Sequence, residues 1–177
     1  MSAPPAVRVG VIADTHGLLR PEAVDALRGV DLVLHAGDVG GPEVLDGLRA
    51  LAPVVAVRGN NDRGPWAAGL PARADVELAG VRIHVLHDLA ELALDPAREG
   101  IGLVVAGHSH RPRLERREGV AYLNPGSAGP RRFALPVSVA RLRLEAGRAD
   151  AEIVELAVAP PTPRAAPARR GPRRHPA

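Results

Sequence analysis

Three short apolar runs, residues 7–13, 31–35 and 53–58, alternate with two segments that read as helices, and this alternation limits the fold more than any other feature. The first run is apolar on both faces apart from Arg8, as a strand covered on both sides must be. Pro21 suits a first helical position and Gly29 the residue just past a helix end. A second helix is expected over 42–50. A strand–helix–strand–helix–strand opening implies a parallel sheet with helices on its faces, so the expected class is α/β. Further on the chain turns strand-rich, with a hairpin over 76–86 turning at Ala79-Gly80 and a buried strand over 103–106. Two more hairpins are expected to turn at Glu118-Gly119 and Ala146-Gly147. Residues 89–99 read as a helix with a break before Pro96. Aromatic residues make up only 2% of the chain, so the core must be built from Val, Leu, Ala and Ile.

Residues 1–158 are expected to form one domain, followed by a disordered Pro/Arg-rich tail over 159–177. Five of the 23 basic residues lie after Ala159 and no acid does, which leaves 18 basic against 20 acidic residues in the body. The high pI therefore belongs to the tail and argues weakly for nucleic-acid binding by the domain. A solvated tail without a specific role is the expectation, ahead of polyanion binding. The chain has no Cys, which excludes disulfides, thiolate metal sites and a Cys nucleophile. It has no apolar run of membrane-spanning length. Its opening residues lack a basic segment followed by an apolar one, so a cytoplasmic location is expected.

The chemistry-bearing residues fall just after strands. Asp14 and His16 follow the first strand, Asp38 the second, and Asn60, Asn61 and Asp62 the third. His87 ends a hairpin strand, and His108 and His110 follow the strand at 103–106. Open α/β sheets place ligands outside the carboxyl ends of their strands. Asp offers hard oxygen and His borderline nitrogen, a donor set for divalent cations. Gly37, Gly59 and Gly107 each directly precede one of these residues, as tight turns and close backbone approach require.

The ordered set Asp14-Thr15-His16, Gly37-Asp38, Gly59-Asn60-Asn61-Asp62, His87 and Gly107-His108-Ser109-His110 resembles the calcineurin-like metallophosphoesterases. With Asn124-Pro125-Gly126-Ser127 and the short length, it is most similar to their small bacterial and archaeal phosphodiesterase branch. The resemblance spans roughly Val7 to Val158. It implies a four-layer αββα sandwich of two mixed β-sheets flanked by helices. It implies two divalent ions, Mn by preference and otherwise Fe, Zn or Ni. Asp14, His16, Asp38 and His110 would hold the first, Asp38 would bridge, and Asn60, His87 and His108 would complete the second. A bridging hydroxide would attack a small phosphodiester.

Two positions depart from the family pattern. Asn61 stands where many members carry a His thought to act as general acid, and an amide cannot donate a proton as imidazolium can. That favours diesters with good leaving groups over alkyl monoesters, with Asn61 and Asp62 near the leaving group or orienting a ligand. Asp88 follows His87, where Gly is common. Arg63, Arg131 and Arg132 are candidates for contact with substrate phosphate, Arg63 first, although in a chain with 23 Arg a surface role is the expectation for each. His35 divides between orienting a ligand and filling the core, and His84 reads as structural. Residues 124–127 either line a phosphate pocket or form a tight turn. A homodimer or homotetramer is the expected assembly. The alternatives are a phosphomonoesterase and a catalytically silent scaffold for protein binding.

Overall fold

A computed structural model describes residues 5–132 and 134–159. The expected tail lies outside the described residues.

Val-rich runs form the central strands. The first half gives β1 (Val7–Ile12), α1 (Pro21–Ala26), β2 (Leu32–His35), α2 (Pro42–Arg49) and β3 (Val54–Ala56). The second half gives β4 (Arg73–Leu78), β5 (Val81–Leu86), β6 (Leu103–Val105), β7 (Arg113–Arg117), β8 (Val120–Asn124), β9 (Ser138–Glu145) and β10 (Arg148–Glu155). One sheet runs β10-β9-β1-β2-β3 and the other β4-β5-β6-β8-β7. In the first, β1, β2 and β3 are parallel, with Val9 opposite Leu32 and Val33 opposite Val54. In the second, β5, β6 and β8 are parallel, and β4 and β7 pair antiparallel at the edges. The two mixed sheets make the expected sandwich.

Alternation along β1 explains the layers. Val9 and Val11 face the second sheet and join Leu34, Val57, Ile83, Val85, Leu103, Val105, Leu123 and Leu142 in the central core. Ile12 faces the other way, into the layer where Leu27, Leu45 and Leu48 seat α1 and α2. A fully buried Leu such as Leu27 contributes about 1.5–3 kcal/mol by leaving water. Gly10 makes this packing possible, because a Cβ there would lie 2.8 Å from Leu27 Cδ2. The buried apolar residues are Val, Leu, Ile and Ala throughout, as the scarcity of aromatics demanded.

All three expected hairpins form. Ala79-Gly80, Glu118-Gly119 and Ala146-Gly147 each place two residues at positive φ, the type I′ geometry that matches strand twist.

The expected helix over 89–99 does not form. Only a 3-10 turn, Leu89–Glu91, appears there. Asp88 caps it by accepting from Ala90 N–H at 2.9 Å. Asp95 then starts a separate turn by accepting from Ala97 N–H at 3.1 Å and Arg98 N–H at 3.2 Å. Side-chain acceptors compete with helical hydrogen bonds in this way, and Pro96 has no N–H to continue one. Leu92 and Leu94 instead cover Leu86, Val104 and Val120 on the outer face of the second sheet.

Candidate metal centre

The parallel strands of both sheets point their carboxyl ends the same way, and the loops that leave them meet at one seam. The centre begins there. His110 Nε2 lies 3.3 Å from Asp14 Oδ1 and 3.4 Å from His16 Nε2. His16 Nε2 lies 3.8 Å from Asp38 Oδ2, and His87 Nε2 lies 3.5 Å from the same oxygen. His87 Nε2 is 3.0 Å from Asn60 Oδ1, which is 3.1 Å from His108 Nδ1. All seven candidate ligands are thus joined in one continuous chain of near contacts.

These contacts have the character of a cation site. Asp14 Oδ1 and His110 Nδ1 are buried with no hydrogen-bond partner, although buried polar atoms are nearly always satisfied. Asp14, His16 and His110 place donor atoms within 4.8 Å of one another, and so do Asp14, Asp38 and His87. His87 Nδ1 donates to Ala36 O at 2.8 Å, which directs Nε2 at the centre as a ligand tautomer requires. Oxygen and imidazole donors without thiolate fit divalent Mn, Fe or Zn.

The local backbone is built for convergence. Asp14, His16, Asp38, His108 and His110 all adopt positive φ, between 47° and 66°. Each such residue costs roughly 1 kcal/mol relative to a relaxed turn. Two glycines leave the necessary room. A Cβ on Gly37 would lie 2.6 Å from His87 Nδ1, and one on Gly59 would lie 2.1 Å from the Asp38 nitrogen.

Electrostatics reinforce the arrangement. Burial opposes ionisation of Asp38, but hydrogen bonding with His87 and Asn61 outweighs it and holds the carboxyl well below the usual carboxylate range. Burial likewise opposes a charge on His87, yet Asp38, the Ala36 carbonyl and Asp14 push its pKa up to about 9. Burial lowers the pKa of His16, only partly offset by Asp38.

The neighbours of the seven hold the candidate ligands and their loops in place. Asn61 grips Asp38 from two sides: its N–H donates to Oδ1 at 2.8 Å and its Nδ2 to Oδ2 at 2.6 Å. Asp62 ties two loops together, since Oδ1 accepts from Gly40 N–H at 2.9 Å and Oδ2 from Gly59 N–H at 2.8 Å. Asp88 lies 3.7 Å from His108 Nε2 as well as capping its turn. Arg63 is exposed, and no hydrogen bond joins it to the centre. Arg132 reaches the centre: a guanidinium nitrogen sits 3.4 Å from His16 Nε2. In a chain with 23 Arg, its local sequence marks it no more than Arg63 or Arg131.

A second layer braces these loops. His35 is fully buried, and burial pushes its pKa down to about 4. Its Nδ1 accepts from Gly37 N–H at 3.2 Å, so in the neutral ring Nε2–H faces Thr15 Oγ1 at 2.9 Å. Thr15 Oγ1 in turn donates to Val39 O at 2.8 Å. Asn124 Nδ2 donates to Gly107 O at 2.7 Å and Ser109 Oγ at 3.0 Å, and Ser127 Oγ donates to Asp14 O at 2.9 Å. Residues 124–127 therefore brace the ligand loops. Far from the centre, buried His84 pairs with Asp75 at 2.8 Å across β4 and β5.

Comparison with known proteins agrees with this geometry. Residues 7–147 match a model of the calcineurin-like phosphoesterase superfamily domain. A probable metallophosphoesterase of Methanothermobacter thermautotrophicus is 38% identical over 158 residues, covering 82% of this chain and 91% of that protein. A solved archaeal phosphodiesterase superposes with a TM-score of 0.71 at 21% identity, covering 84% of this chain and 100% of that one. Vps29 from Entamoeba histolytica, solved in complex with zinc, is 26% identical with a TM-score of 0.64, covering 84% and 99%.

Proposed function

Because this chain belongs to the calcineurin-like phosphoesterase superfamily, we propose that it is a metal-dependent phosphodiesterase acting on small phosphodiesters. The observation that carries the reading is the position of Asp38. Its Oδ2 lies between His16 Nε2 at 3.8 Å and His87 Nε2 at 3.5 Å, common to two groups of donors. Asp14, His16 and His110 would hold one divalent ion with Asp38. Asn60, His87 and His108 would hold a second with it. Two such ions, with Mn as first choice, would supply an activated water and positive charge for the phosphoryl oxygens.

The chain's own residues do the rest. Asn61 fixes the Asp38 carboxylate in one orientation. The guanidinium of Arg132, beside His16, supplies a fixed cation for a phosphate oxygen. No imidazole stands at position 61 to protonate a leaving group. A diester with a weakly basic leaving group needs none, whereas an alkyl monoester does.

The likeness to Vps29 is the one observation favouring a second reading, a catalytically silent scaffold for protein binding. Retention of all seven candidate ligands supports catalysis instead. The deciding experiment is hydrolysis of bis(p-nitrophenyl) phosphate after chelation and after adding Mn, with elemental analysis of the purified protein. Turnover that is lost on chelation and restored by Mn supports the diesterase. Metal-free protein without turnover under any metal overturns it.

A further inference from the structure

A cleft of about 280 Å³ opens beside His108 on the outer face of the second sheet. We propose that it binds the nucleoside of a nucleotide diester whose phosphate lies at the metal centre. The inference rests on the diesterase reading and deepens it by naming a substrate class.

Position is the first argument. His108 and Asp88 line this cleft and also the smaller recess that contains Asn60 and His87. A phosphate at the centre would therefore carry one ester substituent past the His108 ring into the cleft.

The floor is the second argument. Val104, Ala106 and Tyr122 supply it, from the outward side of β6 and β8 and the residue that follows β6. Arg117 lies over the Tyr122 ring with its guanidinium 5.2 Å from the ring centroid, so a planar cation covers the aromatic part of the floor. An apolar floor partly covered by a planar guanidinium takes a planar base without demanding a particular base edge.

Charge is the third. Glu115 pairs with Arg113 at 2.6 Å and also with Arg117, so two rim cations are already engaged. With Asp88 and Glu115 set against Arg111, Arg113 and Arg117, the rim carries a net of one positive charge, too little for a polyanion trough. Asp88 offers an acceptor for a sugar hydroxyl, and a charged rim is unsuited to an aliphatic chain. The volume of about 280 Å³ falls just below the usual range of ligand pockets, which begins near ~300 Å³, and so suits one small group such as a single nucleoside.

The test compares two esters with the same leaving group: thymidine 5′-(p-nitrophenyl phosphate) and methyl p-nitrophenyl phosphate, with Mn present. The thymidine ester should be preferred about tenfold in kcat/KM, mainly through KM. Leu89→Trp, which adds bulk at an exposed wall of the cleft, should erase that preference while the methyl ester is hydrolysed as before. Tyr122→Ala should lower the preference independently. Saturation-transfer NMR of thymidine with the metal-free protein should show contacts that Leu89→Trp removes. Hydrolysis of both esters at equal kcat/KM without thymidine contacts overturns the cleft assignment and leaves the diesterase intact. Thymidine contacts sensitive to Leu89→Trp, with no hydrolysis of either ester, support the cleft and sink the diesterase.

Discussion

Asn61 Nδ2 lies 2.6 Å from Asp38 Oδ2, and the Asn61 backbone N–H holds the other carboxylate oxygen at 2.8 Å. The position that reads as a missing general acid is filled by a residue that positions the Asp38 carboxylate. An amide is suited to this, since its donor is present at every pH.

Replacing that amide tests both halves of the idea. Asn61→Ala keeps the backbone bond and loses the side-chain one. It should lower kcat/KM for a diester about tenfold, as a lost hydrogen bond to a charged group implies. Asn61→His should raise the ratio of p-nitrophenyl phosphate to bis(p-nitrophenyl) phosphate hydrolysis. A ratio that does not move removes the leaving-group argument.

Asp62 should matter to folding more than its place beside the centre suggests. Its carboxylate satisfies Gly40 N–H and Gly59 N–H, one from each of two loops. Asp62→Ala leaves both donors without that acceptor and should cost about 2–4 kcal/mol in urea unfolding. Asp62→Asn, with one acceptor left, should fall between. Equal stability of Asp62→Ala and the wild type would refute this.

The metal-free protein should be most stable near pH 6.5. His35, held down to about 4, takes up its proton in the unfolded chain first as pH falls. Its contribution therefore disappears between pH 6.5 and about 4, by about 3 kcal/mol at most. His16 shifts in the same direction. His87, raised to about 9, contributes fully below its ordinary value of 6.5 and loses that contribution as pH rises through 9. Urea midpoints from pH 4 to 10 should trace both limbs, and His35→Asn should flatten the acid one. Metal must displace the His87 proton, so apparent affinity should climb with pH up to about 9, by up to tenfold per unit.

His108 offers a test of backbone strain. It sits at φ 66°, where glycine is free of the steric cost. His108→Gly should be more stable than His108→Ala by about 0.5–1 kcal/mol. Both should lose hydrolysis. A Gly variant less stable than the Ala variant would show that the turn is relaxed.

Much of this was legible in the sequence, and for identifiable reasons. Strands of Val and Leu ending in Gly and a ligand residue are local signals, as are the two-residue turns at Ala79-Gly80, Glu118-Gly119 and Ala146-Gly147. The segment over 89–99 misled because Leu89 and Leu92 have the i,i+3 spacing of a helix face, while Asp88 and Asp95 divert the backbone hydrogen bonds into turns. Asn61, Thr15 and Arg132 act through partners far away in the chain. No spacing rule connects Arg132 to His16 or Thr15 to Val39; only the folded seam does.

The three tight hairpins all lie at the end of the sandwich opposite the seam, and two of them touch, with Gly147 N–H donating to Ala79 O at 2.7 Å. This end of the molecule is thus tied by backbone, with Arg116 adding a side-chain bond to Ala149 O at 3.3 Å. The other end is lined with carboxylates and imidazoles, several of which also hold its loops together. Exchanging a rim residue such as His108 changes the chemistry of the seam without touching the hairpin end.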